Sequence, residues 1–389
     1  MTDKKKTDTR QLLDAASLTR RGLIKGAAAT AAVIGAPAIL GRAPVTSAKA
    51  AFEGEGLIAV SWSGNYEQVF RDEVIASFNE KYKTKAETVG GWDQMVPQIK
   101  AAPADNPPFD ITVAEEYVSS AGLAEKLYLE TDKSKIPNLE SIYSWFYDSR
   151  PADAAKYGIP FGGGTCMLLM RNKLGITDNS WKSLWSDKLA KRITLDSAAW
   201  WWSLSVPAVL STVSPGLDEM WDHPNGTGPL FAEMEKLKVA KWFKDGAEQA
   251  NILNQEEADA AMSYSSDALT FINQSPGEYA ATVPVEGTSA WTDWYFKIRG
   301  TKHSDLADLF MNHLLEKETQ DRFLSKSLIF VARKDVAVPA HWGDLYPKSN
   351  EDYAKKFQLL TFDGWAKLGN AWEAIDARMK EIVAKTTAG

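Results

Sequence analysis

The chain has 389 residues, of which 44% are hydrophobic and 24% charged, with 44 Lys and Arg against 51 Asp and Glu. This length predicts about two globular domains, and the composition excludes a disordered or collagen-like chain. The acidic balance argues against nucleic-acid binding, which needs clustered basic side chains. The single cysteine, Cys166, excludes an internal disulfide and a cysteine-based zinc cluster, and the four histidines lack metal-ligand spacing. We therefore expect no metal and no cofactor.

The first 50 residues have the pattern of an export signal. Residues 19–25, TRRGLIK, resemble the twin-arginine motif, and residues 26–40 follow without a charge. That run is too short to span a bilayer but is typical of the apolar part of a signal peptide, and 48–50, AKA, match a cleavage site. We expect 1–50 to be a twin-arginine signal peptide, the Tat machinery to be a partner, and the mature chain to be periplasmic. The alternative is an amphipathic N-terminal arm.

Strand and helix patterns alternate in the first half of the mature chain. The predicted elements are strand 56–60, helix 67–81, strand 86–89, helix 92–101, strand 109–113 and helix 118–126. Such alternation is typical of a parallel α/β sheet, in which ligands bind beyond the carboxyl ends of the strands. Those ends are residues 61–66 and 114–117.

The second half begins with a glycine-rich stretch at 159–165, followed by an apolar strand at 166–170. The stretch lacks the Gly-Lys-Ser/Thr of a phosphate loop, and we interpret it as a flexible hinge into a second lobe. Asp267 is predicted to cap a helix that starts at Ala268. The other predicted elements are a short helix from 181, strands 193–196, 262–267 and 294–298, and helices 306–315, 319–328 and 360–384.

Several short motifs occur in a characteristic order. The most specific is Pro284-Val285-Glu286-Gly287 followed by Trp291-Thr292-Asp293. The others are Trp62-x-x-x-Tyr66, Tyr117, Tyr157-Gly158-Ile159-Pro160, Ser180-Trp181-Lys182-Ser183-Leu184-Trp185 and Leu195-Asp196. In these motifs the sequence resembles the periplasmic solute-binding proteins of the spermidine/putrescine type (extracellular solute-binding protein family 1), which are receptors of ABC importers.

The resemblance implies an α/β fold of the two-lobed type II periplasmic-binding-protein class. Each lobe is expected to hold a mostly parallel sheet flanked by helices, with the ligand in the cleft between the lobes. Lobe one would comprise 51–160 and about 290–328, and lobe two 161–289 and about 329–389. The resemblance also implies a monomeric receptor, not an enzyme, that closes around its ligand and docks on an ABC permease at the inner membrane.

The expected ligand site centres on Trp291 and Asp293. Strand side chains alternate, so this ring and this carboxylate share one face, and together they suit an ammonium group. Outside the family context, a Trp in this position is more typical of a core residue. Trp62, Ser63 and Tyr66 are the expected opposite wall.

Two further positions of the site depart from the family pattern. Beside Tyr117 the family has small hydroxyl-bearing residues where this chain has Glu115 and Glu116, and one of these acids, Glu116 in our prediction, enters the cleft. The alternative is a solvated pair at a helix start.

The far end of the cleft also departs from the family. Asp196 matches a family carboxylate, but the second acid expected three residues later is Ala199. Trp200 begins a run of three Trp residues, one or two of which would line the cleft, and Tyr264 replaces a family Trp. The loss of one acid puts binding of a diamine in question.

These residues predict a receptor for a cationic, polyamine-like amine. The alternative is an amino acid, opine or betaine, whose carboxylate would need an arginine such as Arg171 or Arg299. A sugar receptor, or a glycoside-active enzyme that uses Asp196 and Asp293, is less well supported, and a ferric-ion receptor would need a tyrosine pair. The predicted ligand contacts are Trp62, Ser63, Tyr66, Glu116, Tyr117, Asp196, Trp200, Tyr264, Trp291 and Asp293.

Overall fold

A computed structural model describes residues 51–91, 94–148, 150–197, 228–359 and 361–387. The predicted signal peptide, 1–50, lies outside the described residues, as do Ala199 and Trp200–Trp202. None of the helices in the described ranges is long and apolar enough to cross a membrane.

Strands and helices alternate along the described chain, as the sequence predicts. The strands are β1 (Gly56–Trp62), β2 (Lys85–Gly91), β3 (Ile111–Ala114), β4 (Ile159–Arg171), β5 (Ile193–Asp196), β6 (Val239–Phe243), β7 (Ala260–Tyr264), β8 (Tyr279–Thr282), β9 (Thr288–Lys297), β10 (Phe330–Val331) and β11 (Phe357–Leu359). The helices are α1 (Asn65–Val69, a π-helical stretch Phe70–Ile75, and Ala76–Tyr82), α2 (Met95–Ala101), α3 (Glu116–Ala124), α4 (Gly228–Met234), α5 (Gly246–Asn254), α6 (Ser265–Gln274), α7 (Ser304–Leu314), α8 (Lys317–Ser327), α9 (Asn350–Lys356) and α10 (Phe362–Thr387).

The strands form two parallel groups joined by two long antiparallel strands. The order is β2-β1-β3-β9-β4-β7-β5-β6, with β8 and β10 paired to β4 and β11 paired to β9. β1 runs parallel to β2 and β3, and β5 runs parallel to β6 and β7. β4 and β9 run antiparallel to each other. The predicted α/β class is confirmed, and β4 and β9 connect the two groups.

The glycine-rich stretch is the first half of β4, so the predicted flexible entry into a strand at 166–170 is wrong. Its role as a hinge between lobes stays a prediction. Gly162, Gly163 and Gly164 pair with β9 from Asp293 to Trp291. A Cβ on Gly163 would lie 2.3 Å from the carbonyl oxygen of Trp291, and one on Gly164 would lie 2.2 Å from the Trp291 ring. The glycines are needed because β9 and its indole approach the backbone too closely for a side chain.

Two clusters of buried side chains form the core. The larger cluster takes residues from both predicted lobes, such as Val60 of β1 and Ala261 of β7. The smaller cluster packs β4 and β5 against α10, through Cys166, Leu195 and Met379 for example. β10 pairs with β4 and β11 pairs with β9. The predicted lobe bounds, including the one near residue 329, remain a prediction.

Asp267 does not cap a helix, in contrast to the prediction. β7 ends at Tyr264 and α6 starts at Ser265, so Asp267 lies in the first turn of the helix. Burial raises the pKa of Asp267 to about 6, and the charge of Asp245 adds to this effect. The sequence predicts Ser265 and Ser266 to be strand residues, but they form the first turn of α6. The helix therefore begins earlier than predicted.

The close approach of β9 to β4 predicts that Gly163→Ala destabilises the protein. The new Cβ would lie 2.3 Å from a backbone oxygen, and overpacking of this kind costs roughly 1–3 kcal/mol. Gly369→Ala is the control, because its Cβ would meet only the Tyr117 ring at 3.9 Å. Urea unfolding should show a loss for Gly163→Ala only. Equal stability of both variants would contradict the packing described here.

Candidate functional site

Asp293 lies inside the protein and is hydrogen-bonded to the end of β1. It is on β9, one residue beyond Thr292, so its side chain shares a strand face with Trp291. The carboxylate is only 1% exposed. The indole Nε1 of Trp62 donates a hydrogen bond of 2.9 Å to its Oδ1. The structure thus brings together two of the predicted contacts that are far apart in the sequence.

The surroundings of Asp293 disfavour its negative charge. Burial raises the pKa of Asp293 to about 7, and the charge of Glu116 raises it further, while the Trp62 hydrogen bond and the Arg150 charge act in the opposite direction. The desolvation effect is the largest, because the carboxylate has left water. A cationic group in contact with this carboxylate would restore the favourable charge balance.

A second set of predicted contacts lies around Trp291. Tyr264, at the end of β7, donates a hydrogen bond of 2.8 Å to Oδ2 of Asp196, at the end of β5. Its ring meets the Trp291 ring edge to face, with centroids 6.0 Å apart. Asp196 is 3% exposed. Tyr264 thus links the parallel group of β5, β6 and β7 to Trp291 on β9.

The start of α3 follows the end of β3, where ligands of parallel sheets bind. The half-buried Glu115 caps the helix by accepting from the backbone N–H groups of Tyr117 and Val118. Burial raises the pKa of Glu115 to about 8; the Glu116 charge adds to this shift, and the two N–H donors oppose it. Tyr117 is 37% exposed and packs on the Trp365 ring of α10, with centroids 5.8 Å apart.

Glu116 points inward and bonds to β9. Its carboxylate, 1% exposed, accepts hydrogen bonds of 3.1 and 3.2 Å from the backbone N–H of Thr292 and a further one from the Thr292 hydroxyl. Glu116 therefore holds the backbone between Trp291 and Asp293. Direct contact of Glu116 with a ligand remains a prediction.

Ser63 and Tyr66 lie beside the site in different environments. Ser63 is half-buried, and its backbone N–H donates to the Gly91 carbonyl at 3.4 Å. Tyr66 is buried and packs edge to face on Phe323. Burial raises the pKa of the Tyr66 hydroxyl, and the charges of Tyr295 and Asp293 add to the shift. The Tyr66 ring thus belongs to the core, and its predicted ligand contact stays untested. Trp200 lies outside the described residues.

Arg150 is a buried charge that sequence reasoning missed. Its guanidinium carbon lies 4.3 Å from the Trp294 ring centre, and Nη1 donates a 2.6 Å hydrogen bond to Ser119 of α3. Burial lowers the pKa of Arg150 to about 10, against the nearby charges of Glu116 and Glu115. It lies in a loop outside every family motif, so no sequence signal identified it.

The two arginines proposed for a ligand carboxylate are engaged elsewhere. Arg171 bonds to Glu278 and to the Leu253 carbonyl. Arg299 donates to the carbonyl oxygens of Glu125 and Lys126 at 3.5 and 3.4 Å. Neither therefore contacts the residues gathered around Asp293.

Other kinds of site find little support in the described residues. Among them, no group of three or more His, Cys, Asp or Glu side chains could hold a metal ion. Burial raises the pKa of the Cys166 thiol, which makes it a poor nucleophile. A cavity of about 990 Å³ beside β8 is lined by Tyr279, His341 and Trp342, among others, and shares no residue with the predicted ligand contacts.

Residues 73–367 match the model of the bacterial extracellular solute-binding proteins. The chain belongs to this family and is a solute-binding receptor, not an enzyme. The family resemblance seen in the motifs is thereby confirmed. The family name places such proteins outside the cytoplasmic membrane, in the periplasm or beyond. No curated protein sequence matches the chain.

Solved structures with the same two-lobed fold cover most of the chain. The spermidine/putrescine transporter substrate-binding protein PotD of Streptococcus pneumoniae is 18% identical, with a TM-score of 0.68 over 85% of this chain and 100% of that chain. The Atu4243 GABA receptor is 14% identical, with a TM-score of 0.68 over 85% and 98%. AgtB of A. tumefaciens R10, solved with agropinic acid, is 15% identical, with a TM-score of 0.60 over 85% and 99%. At these identities the likeness shows the fold, which confirms the predicted architecture.

The raised pKa of Asp293 predicts a pH-dependent stability difference between the wild type and Asp293→Asn. Asp293 titrates near its ordinary value of 3.8 in the unfolded chain and at about 7 in the folded chain. The folded wild type therefore loses stability as the pH rises from about 4 to about 7. Asn has no charge to bury, so its stability lacks this pH dependence. From pH 5 to pH 8 the free energy of unfolding of Asp293→Asn should therefore rise by about 2–3 kcal/mol relative to that of the wild type.

Urea unfolding at both pH values measures this difference. Asp105→Asn, at an exposed position, is the control for loss of a carboxylate at the surface. A difference between wild type and Asp293→Asn that stays constant with pH would show that Asp293 titrates at its ordinary pKa.

Proposed function

We propose that the chain is the periplasmic receptor of an ABC importer and captures a small cationic, polyamine-like amine. Its N-terminal 50 residues would direct export through the Tat machinery, and cleavage near Ala50 would release the mature receptor. The closed, ligand-bound form would dock on the permease as a monomer, and no chemistry would be performed on the ligand.

The buried carboxylate of Asp293 carries the proposal. It is 1% exposed, its pKa is about 7, and its hydrogen-bond partner Trp62 is neutral. A ligand ammonium would supply the missing positive charge, and the indole faces of Trp62 and Trp291 would supply cation–π attraction of roughly 0.5–2 kcal/mol each. Asp196, buried beyond Trp291 and Tyr264, would offer a second acidic group.

The main alternative is an amino acid, opine or betaine. The solved relatives include proteins whose names give spermidine/putrescine and GABA, and one solved with agropinic acid, so the fold accepts several ligand classes. A ligand with a carboxylate needs a cation in the site. Arg171 and Arg299 are both engaged away from Asp293. Arg150, whose charge acts on Asp293, is buried against the Trp294 ring and bonded to Ser119. We therefore favour the amine.

Asp293→Asn is expected to weaken binding of the cationic ligand by roughly 1.5–3 kcal/mol, about ten- to 150-fold in Kd, because a charged hydrogen bond is lost. The ligand is first identified in a thermal-shift screen of residues 51–389 against putrescine, spermidine, betaines, GABA, opines and sugars. A ligand that binds the folded state raises the midpoint of thermal unfolding. Isothermal titration calorimetry then gives Kd for both chains.

Asp308→Asn is the matched control. Asp308 is a buried acid on α7, and it pairs at 2.6 Å with Lys297, which lies on the same strand as Asp293, β9. It should leave Kd unchanged. A hit only with a betaine, opine or amino acid would support the alternative, and a hit only with sugars would overturn both. Unchanged affinity in Asp293→Asn would remove Asp293 from the site.

Amine binding should weaken as the pH falls through about 7. The ammonium pairs with ionised Asp293, and a proton competes for the same carboxylate, whose pKa is about 7. Kd should therefore rise about tenfold from pH 8 to pH 6. The Asp293→Asn chain should show a flat profile over this range. An equally steep profile in the variant would place the titrating group elsewhere.

A further inference from the structure

The backbone that carries Trp291 and Asp293 is held from two sides, by β4 and by Glu116 of α3. On one side, β4 presents Gly163 and Gly164, which leave room for the Trp291 carbonyl and ring. On the other side, the Glu116 carboxylate accepts from both the N–H and the hydroxyl of Thr292. Thr292 is the residue between the two predicted ligand contacts, so a shift of Glu116 would move both.

Glu116 is itself accompanied by a buried cation. Arg150, 6% exposed, donates through Nη1 to Ser119, which lies one helical turn after Glu116 on α3. Its guanidinium stacks on Trp294 of β9 at 4.3 Å and lies 5.2 Å from the Phe362 ring of α10. Within the described residues, its Nε and Nη2 have no hydrogen-bond partner. A buried guanidinium this incompletely bonded depends on nearby acids for its stability.

We propose that Glu116 and Arg150 form a positioning pair beneath the ligand site, which holds the Trp291–Asp293 segment in place and balances the charge around Asp293. Glu116 fixes the backbone through Thr292. Arg150 offsets the charge of Glu116, so that Asp293 remains available to a cation. The inference rests on the proposed function only in taking Asp293 as the ligand carboxylate.

This pair has opposite effects on Asp293. The charge of Glu116 raises the pKa of Asp293, and the charge of Arg150 lowers it. Among the described residues, the other polar groups recorded near Asp293 are neutral. They are the Trp62 indole from β1, the Tyr66 hydroxyl from α1 and the Tyr295 hydroxyl from β9, and the pKa values of the two hydroxyls are raised. Removing each charge should therefore move the titration of Asp293 in opposite directions.

The test follows Asp293 in the ligand-free full chain, so that it does not depend on the identity of the ligand. The protein is labelled with 5-fluorotryptophan, and the ¹⁹F signal of Trp62, assigned with Trp62→Phe, reports the carboxylate to which its N–H donates. In the wild type this signal should titrate with a midpoint near pH 7, as expected from the pKa of Asp293. Glu116→Gln should lower the midpoint and Arg150→Gln should raise it, each by roughly half a pH unit or more.

Two controls separate positioning from a general structural effect. Arg150→Lys keeps the cation and should keep the wild-type midpoint. Asp308→Asn removes another buried acid bonded to β9 and should leave both the Trp62 midpoint and the Trp291 signal unchanged. In Glu116→Gln the Trp291 signal, assigned with Trp291→Phe, should change position because Thr292 is no longer held in the same way.

The proposal is overturned if the two charge variants leave the midpoint unchanged or move it in the same direction. It is also overturned if Asp308→Asn moves the midpoint equally, or if the Trp62 signal does not titrate between pH 5 and pH 9. Should Glu116→Gln fail to fold, the comparison of Arg150→Gln with Arg150→Lys decides. Loss of amine binding alone bears on the proposed function and not on this inference.

Discussion

The antiparallel pairing of β4 with β9 is the constraint on which the rest of the structure depends. These strands join the two parallel groups, and their backbones run so close that β4 uses glycine opposite Trp291 and Thr292. The pairing fixes which face of β9 carries Trp291 and Asp293. The ends of β1, β5 and β7 then bring Trp62, Asp196 and Tyr264 towards that face. A receptor that binds between two lobes needs such a shared element, because contacts from both sides must meet at one place.

Around this pairing the protein accumulates buried acids at an energetic cost. Asp293, Glu116 and Asp196 are each at most 3% exposed, and carboxylates removed from water destabilise a fold unless they are bonded or paired. Each has a hydrogen-bond donor in place, from Trp62, Thr292 or Tyr264. The Asp293 carboxylate keeps a raised pKa, because the effect of burial outweighs the Trp62 hydrogen bond. Carboxylates perturbed in this way are typical of functional sites.

Much of the fold follows from hydrophobic spacing alone. β5 occupies the predicted residues 193–196, and the long helices lie within a few residues of their predicted bounds. The first half of β4 was misinterpreted because glycines lack the side chains that would show a strand period. Asp267 was misplaced because a strand that runs straight into a helix leaves no turn residue to mark the boundary.

The site was less predictable for related reasons. The motifs indicated Trp62 and Asp293, but no spacing rule shows that residues 231 positions apart share a hydrogen bond. Glu115 and Glu116 are adjacent acids at a helix start, yet Glu115 caps the helix and Glu116 bonds to β9. Only packing against β9 decides that Glu116 is the buried one. Arg150 matches no motif, since its role depends on charges supplied by α3 and β9.

The position of the only cysteine in the sequence makes this protein well suited to optical sensing. Cys166 is 0% exposed in β4, and burial raises the pKa of its thiol, so it is shielded from maleimide reagents that attack accessible thiolates. A cysteine introduced at an exposed position, such as Val285 at 76% exposure, would then be the sole point of dye attachment without prior removal of the native residue. Two such positions on different lobes would report the distance between them by energy transfer.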